Sequence, residues 1–278
     1  MIKGIYVLIL LGGGVTFVSE AGEKDSAALF QLARDYETGT DSIAVDTVKS
    51  ISLYRESAEM GYAPARNYLG FKYYKGEGVK QDVDSALYWI RSAAIEGDVT
   101  AAANLGYLYT EGTDVTHDEL EAEKWLTIAA EAGIPGAQHK LVEIKRPVWF
   151  EMPIDSLLDA GRKYYLGRAP ILGAEMLEIA AQKGDSKAMA LMGDAYSKGR
   201  GVPYNHYKSV EYFYNAALNG DASAQLIIAE TLEIFPDTLK DLGIEDGETT
   251  RAEYWYEKAS EQDIADSDAA YLLLYSIP

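Results

Sequence analysis

The chain of 278 residues contains no cysteine. That excludes a disulfide framework, thiolate metal sites and a cysteine nucleophile. Histidine is scarce as well. His117, His139 and His206 fall singly in a loop, an irregular helix and another loop, none at ligand spacing to a second histidine or carboxylate. There is no G-x-S-x-G and no H-E-x-x-H. The GEGVK string ending at Lys80 lies between two expected helices and lacks the spacing and the Ser/Thr of a phosphate loop. Positive charge is short too: 25 Lys and Arg face 44 Asp and Glu, for a net charge of −19 and a pI near 4.5. That argues against nucleic acid or an anionic membrane surface as partner, and is compatible with a basic protein partner or with solubility alone. The acidic stretches at 237–248 and from Asp263 lack the alternating Asp/Asn and the glycine of a calcium loop, and read as solvated loops. No cofactor and no metal are expected.

Long apolar runs are missing, with one exception at the start. Lys3 precedes an apolar run at 5–18, broken by Gly12, Gly13 and Gly14, and Ser19-Glu20-Ala21 offers a cut before Gly22. Residues 1–21 therefore read as a secretory signal peptide, with a periplasmic or secreted product and no membrane insertion after cleavage. The alternative is an uncleaved anchor, for which the run is shorter than the roughly 20 residues of a span. Without a cysteine at the junction, a bacterial lipoprotein is excluded.

What is present in abundance is repetition. Leu69, Gly70, Tyr73, Gly76, Val79, Asp82, Ala86, Trp89, Ala93, Ala94 and Gly97 recur unshifted as Leu105, Gly106, Tyr109, Gly112, Val115, Asp118, Ala122, Trp125, Ala129, Ala130 and Gly133, a period of 36 residues. Such a period marks stacked supersecondary units. Leu69 and Tyr73, four apart, share one helix face, and Gly70 permits close approach of a neighbour. Gly76 ends the helix in the left-handed conformation. Asp82 or Asp84 caps a second helix, on which Ala86, Trp89, Ala93 and Ala94 form an apolar stripe closed by Gly97.

The pattern LG-x-x-Y-x-x-G-x-G-V, then A-x-x-W and AA-x-x-G, seen over residues 65–97, resembles the Sel1-like repeat family, a branch of the tetratricopeptide-type solenoids. The resemblance implies an all-α, right-handed α/α solenoid, and for function a protein-binding scaffold without catalysis. It also implies one narrower role, since some periplasmic members are immunity proteins that neutralise secretion-system effectors such as lipases. An envelope regulatory or assembly factor is the alternative; a hydrolase or cell-wall-binding enzyme is a third reading, without a nucleophile–base pair to support it. The lack of cysteine departs from the cysteine-rich members and argues against their activities.

About six helix pairs are expected. An N-terminal block at 22–144 begins with a degenerate unit carrying Leu32, Tyr36 and Gly39 and continues through the two clean repeats. Pro147 and Pro153 bound an apolar piece, so 145–154 reads as an extended, irregular hinge. The C-terminal block at 155–278 resumes with Gly161, Tyr164 and Gly167 and a loop four residues shorter. It continues through a full repeat around Gly193, Tyr196 and Gly199, then a last unit in which Phe235-Pro236 stands where glycine belongs. Residues 269–275 read as a closing helix.

Tyrosine is the informative excess, with 21 in the chain. Tyr36, Tyr73, Tyr109, Tyr164 and Tyr196 are the expected core markers. Two before and one after each marker, and likewise around Leu232 in the same place of the last unit, lie positions expected to turn away from the partner helix: Arg34 and Glu37, Phe71 and Tyr74, Tyr107 and Thr110, Arg162 and Tyr165, Asp194 and Ser197, Glu230 and Glu233. First helices line the concave face of α/α solenoids. The expected partner-binding residues are therefore Phe71, Tyr74, Tyr107, Arg162, Tyr165, Asp194, Glu230 and Glu233, with Phe71, Tyr74, Tyr107 and Tyr165 forming one aromatic patch. Exposed aromatics flanked by charge suit an interface; packing between units is the other reading.

Overall fold

The computed structural model describes the backbone of Val7–Leu11 and Gly14–Val18, and residues 25–245 and 247–262. The two short segments, β1 (Val7–Leu11) and β2 (Gly14–Val18), pair antiparallel with Leu11 opposite Gly14. Both segments belong to the apolar run read as an export signal; its expected cleavage point lies outside the described residues, as does the expected closing helix at 269–275. Among the described residues every other element is a helix, and the fold class is the expected one: all-α, built from repeated helix pairs of the α/α solenoid type. The chain divides into two compact units at Ala129 and Ala130, earlier than the hinge expected at 145–154.

In the first unit α1 (Ser26–Thr38) packs on α2 (Thr47–Glu59) and α3 (Ala63–Lys75) on α4 (Val83–Ile95). Then α5 (Val99–Glu111) meets α6 (Glu119–Glu131). The second glycine position explains how closely a pair approaches. A Cβ on Gly70 would stand 2.5 Å from Ile90 Cγ1, and one on Gly106 would stand 2.5 Å from Leu126 Cγ. Gly76 and Gly112 close α3 and α5 at φ 71° and 62°, the left-handed cap that a Cβ would strain. Each connecting loop is held by one repeated bond: the N–H of Asp46, Asp82 and Asp118 donates to the carbonyl of Tyr36, Tyr73 and Tyr109. The same aspartates accept at the following helix start, Asp82 Oδ1 from the N–H of Ser85 at 3.1 Å.

In the second unit α7 (Pro135–Phe150) packs on α9 (Pro170–Gln182), the partner of α8 (Ile154–Leu166). α10 (Ser186–Lys198) pairs with α11 (His206–Leu218), and α12 (Ala222–Ile234) with α14 (Ala252–Ser260), the short α13 (Thr238–Asp241) lying between the last two. The expectation of an extended piece at 145–154 is corrected here. α7 runs unbroken through Pro147, and only 151–153 separate it from α8. Pro147 comes in the last turn, where its missing N–H leaves a single helical bond unmade. Trp149 beyond it is buried at 7 % exposure, so continuing the helix places a large ring in the core.

Candidate functional site

The expected binding row resolves differently in the two units. In the first, α3 carries Phe71 and Tyr74 half-buried, their ring centroids 6.4 Å apart and nearly perpendicular. Lys75 Nζ stands 5.4 Å from the Tyr74 ring, and the side chain of Gln81 donates to the Tyr74 carbonyl. Tyr107, one period later on α5, is half-buried as well, while Thr110 turns back to donate to the Gly106 carbonyl.

Glu37, expected in the same outward row, is drawn inward. The hydroxyls of Tyr54 and Tyr68 donate to its Oε2 at 2.7 and 2.9 Å, and Lys72 Nζ sits 2.5 Å from its Oε1. Burial alone pushes its carboxyl upward, but Lys72 and the two hydroxyls outweigh that and hold it below the ordinary carboxylate value. The same contact works in reverse on Tyr54 and Tyr68, whose burial and negative neighbour push both hydroxyls up.

In the second unit the row is corrected at two positions. Tyr165 is 1 % exposed and Asp194 is 5 % exposed, so neither lies on an open surface. The Tyr165 hydroxyl donates to Asp194 Oδ2 at 2.7 Å, and Lys198 Nζ lies 2.9 Å from the other oxygen. Burial and that carboxylate push the hydroxyl of Tyr165 upward. The cause is the loop joining α8 to α9, four residues shorter than its counterparts. It seats Gly173 so near α8 that a Cβ there would stand 2.2 Å from the Tyr165 backbone nitrogen. Arg200 closes the arrangement, donating to the carbonyls of Tyr165, Leu166 and Gly167. Tyr165 therefore leaves the expected aromatic patch. Arg162, Glu230 and Glu233 are exposed as expected.

The marker tyrosines also differ from their expected role. Among them Tyr109 is buried; Tyr36, Tyr73, Tyr164 and Tyr196 are half-buried, and a lysine lies against the rings of Tyr36, Tyr164 and Tyr196. Arg55 on α2 donates to the Tyr73 hydroxyl at 2.7 Å, and Arg91 on α4 donates to that of Tyr109. Arg55 and Tyr73 border a shallow cleft of about 540 Å³ with Val79 and Asp82, and Tyr109 alone of the second pair borders the next, of about 320 Å³, with Val115 and Asp118. These two arginines were missed, although they recur at the 36-residue period. In the second unit Glu178 takes the corresponding place and accepts from Tyr212 at 2.5 Å.

Among the described residues no group of histidines and carboxylates is placed to hold a metal ion, and no helix is long and apolar enough to cross a membrane. The arrangement offers half-exposed aromatic rings, clefts and acidic surface.

Several solved structures are similar to this chain. A Sel1 repeat protein from Oxalobacter formigenes is 25 % identical, with 88 % of this chain and 91 % of that one covered and a TM-score of 0.44. c5321, a protective antigen of uropathogenic Escherichia coli strains displaying an SLR fold, is 28 % identical, covering 90 % of this chain but only 56 % of that one, with a TM-score of 0.41. The immunity protein Pa5087 from Pseudomonas aeruginosa is 18 % identical over 90 % of this chain and 81 % of that one, with a TM-score of 0.33. The ERAD-associated E3 ubiquitin-protein ligase component HRD3 of Candida glabrata is 35 % identical over 74 residues, 26 % of this chain and 9 % of that relative's length. The Sel1 repeat itself matches residues 26–62, 63–98, 99–134, 186–221 and 243–264, more than half of the chain. With that coverage, and with the glycine contacts and capping aspartates in the register the repeat demands, the chain belongs to the Sel1 repeat family.

Proposed function

We propose that this Sel1 repeat scaffold acts without catalysis in the cell envelope, holding a protein partner on the first-helix side of its first unit. The observation that carries the reading is the half-exposed pair Phe71 and Tyr74 on α3, with Tyr107 in the equivalent position of α5. Large rings that are neither fully packed nor fully solvated supply contact area at little entropic cost, as interface anchors do. The net charge of −19 favours a basic partner, which it would draw in by long-range attraction. Within this reading the chain serves as an immunity protein, masking a basic toxic effector such as a lipase, in line with the family resemblance and the charge.

Recovery of partners from a native envelope extract, with wild type and with Tyr74→Ala as bait, tests the surface. A partner held there is lost or weakened by about tenfold or more with the variant, a hot-spot loss, while the melting temperature is retained. Identical recovery by both baits removes this face from the function.

A further inference from the structure

The end of α12 departs from its own repeat. First helices α3, α5 and α10 close on Lys75-Gly76, Glu111-Gly112 and Lys198-Gly199, a charged residue and then a glycine at φ 71°, 62° and 64°. At the same register α12 closes on Ile234 and Phe235. A phenylalanine is strained in the left-handed cap, and Phe235 sits instead at φ −129° and ψ 78°. The exchange gives the core nothing in return, since Ile234 is 68 % exposed and Phe235 61 % exposed.

The surroundings of this pair carry one sign. Glu230 is exposed one turn back on α12, Glu233 is exposed immediately before the pair, and Asp237 is exposed two residues on. Tyr256 of α14, 38 % exposed, donates to Glu233 Oε2 at 2.9 Å and adds a ring. Lys240 and Lys258 are already engaged by Asp237 and Glu261, at 2.7 and 2.9 Å. From Glu230 to Gln262 there are ten acidic residues and three basic ones.

We infer that Ile234 and Phe235 anchor a docking surface for a basic protein segment that presents a bulky apolar side chain between lysines or arginines. The inference rests on the scaffold reading and assigns that scaffold a second contact, on the last repeat. Apolar burial at the centre supplies affinity, and the carboxylate rim selects the partner's sign. A second copy of the chain would bring the same acidic rim against itself, a repulsive arrangement. The chain's own residues 263–278 have three aspartates and no lysine or arginine, so they too carry the wrong sign.

The test uses the full chain and a labelled amphipathic peptide of lysine and leucine, read by fluorescence anisotropy. A matched peptide with glutamate in place of lysine is the control. The lysine peptide binds, more weakly as salt rises, and the glutamate peptide binds at least about tenfold more weakly. The neutral pair Ile234→Ser with Phe235→Gly restores a glycine cap without changing charge, and weakens the lysine peptide by about tenfold or more. Phe235→Gly alone gives part of that loss and serves where the pair folds poorly. Equal binding by wild type and both variants overturns the site, as does absence of binding by wild type. Binding that appears only on introducing Leu273→Asp would show residues 263–278 occupying the patch, and also overturns it. These outcomes leave the partner surface at Tyr74 untouched, since that surface is read by its own variant.

Discussion

The hydroxyl of Tyr165 donates to Asp194 at 2.7 Å, joining two first helices through a buried tyrosine–carboxylate pair. An aspartate so nearly dry is tolerable because Lys198 meets its second oxygen. Removing the hydroxyl leaves a buried carboxylate one partner short. Tyr165→Phe is therefore expected to lower stability by about 1–3 kcal/mol, the range for an orphaned buried polar group. Denaturant midpoints of the two proteins check it, and an unchanged midpoint would show that solvent reaches Asp194.

The Glu37 cluster predicts acid sensitivity. Because the folded state holds this carboxyl below its unfolded value, the unfolded chain binds a proton first as pH falls. Its contribution is present at neutral pH, and is lost as pH falls through the depressed folded value. Glu37→Gln removes the charge that pairs with Lys72 and so should be less stable than wild type at about pH 7. The gap should narrow towards about pH 3. Urea titrations of both proteins at the two pH values measure it; a gap that stays constant contradicts the assignment.

What was legible in the sequence is what depends on neighbours along the chain. Gly76, Gly112 and Gly199 take their left-handed caps because the helix ends there, and Asp82 caps because Ser85 lies three residues on. Glu37 was misplaced because its partners Tyr54, Tyr68 and Lys72 reach it from α2 and α3. A helical wheel shows which way a side chain leaves its own helix, and cannot show what arrives from the next. Tyr165 failed for a related reason: four residues missing from a loop bring Gly173 against it. Pro147 read as a breaker because its local penalty is visible in the sequence, whereas the burial of Trp149 is not.

Gly106 and Gly184 separate two reasons for glycine. A Cβ at Gly106 collides with Leu126, whereas one at Gly184 meets nothing within 4 Å but would sit at φ 97°. Both alanine variants lose stability, Gly106→Ala by about 1–3 kcal/mol from overpacking and Gly184→Ala by about 1 kcal/mol from backbone strain. Leu126→Ala is expected to relieve part of the first and none of the second. A double-mutant cycle on thermal stability distinguishes them, and equal coupling in both pairs would refute the packing argument.

Trp89 and Trp125 occupy one position in successive repeats, yet their variants should differ. Trp125 is 3 % exposed, and its indole N–H donates to Glu121 at 2.8 Å. Trp89 is only half-buried, packed on the edge of the cluster around Leu69, with the Tyr88 ring edge-to-face against it at 5.1 Å. Trp125→Ala empties a closed site and removes one donor to Glu121, so about 3–5 kcal/mol is expected. Trp89→Ala opens a cavity that water can already reach, and less surface returns to solvent than at Trp125. The denaturant midpoint should fall further for Trp125→Ala than for Trp89→Ala, with equal slopes. Equal falls would mean that the repeat position, rather than the burial of each ring, sets the loss.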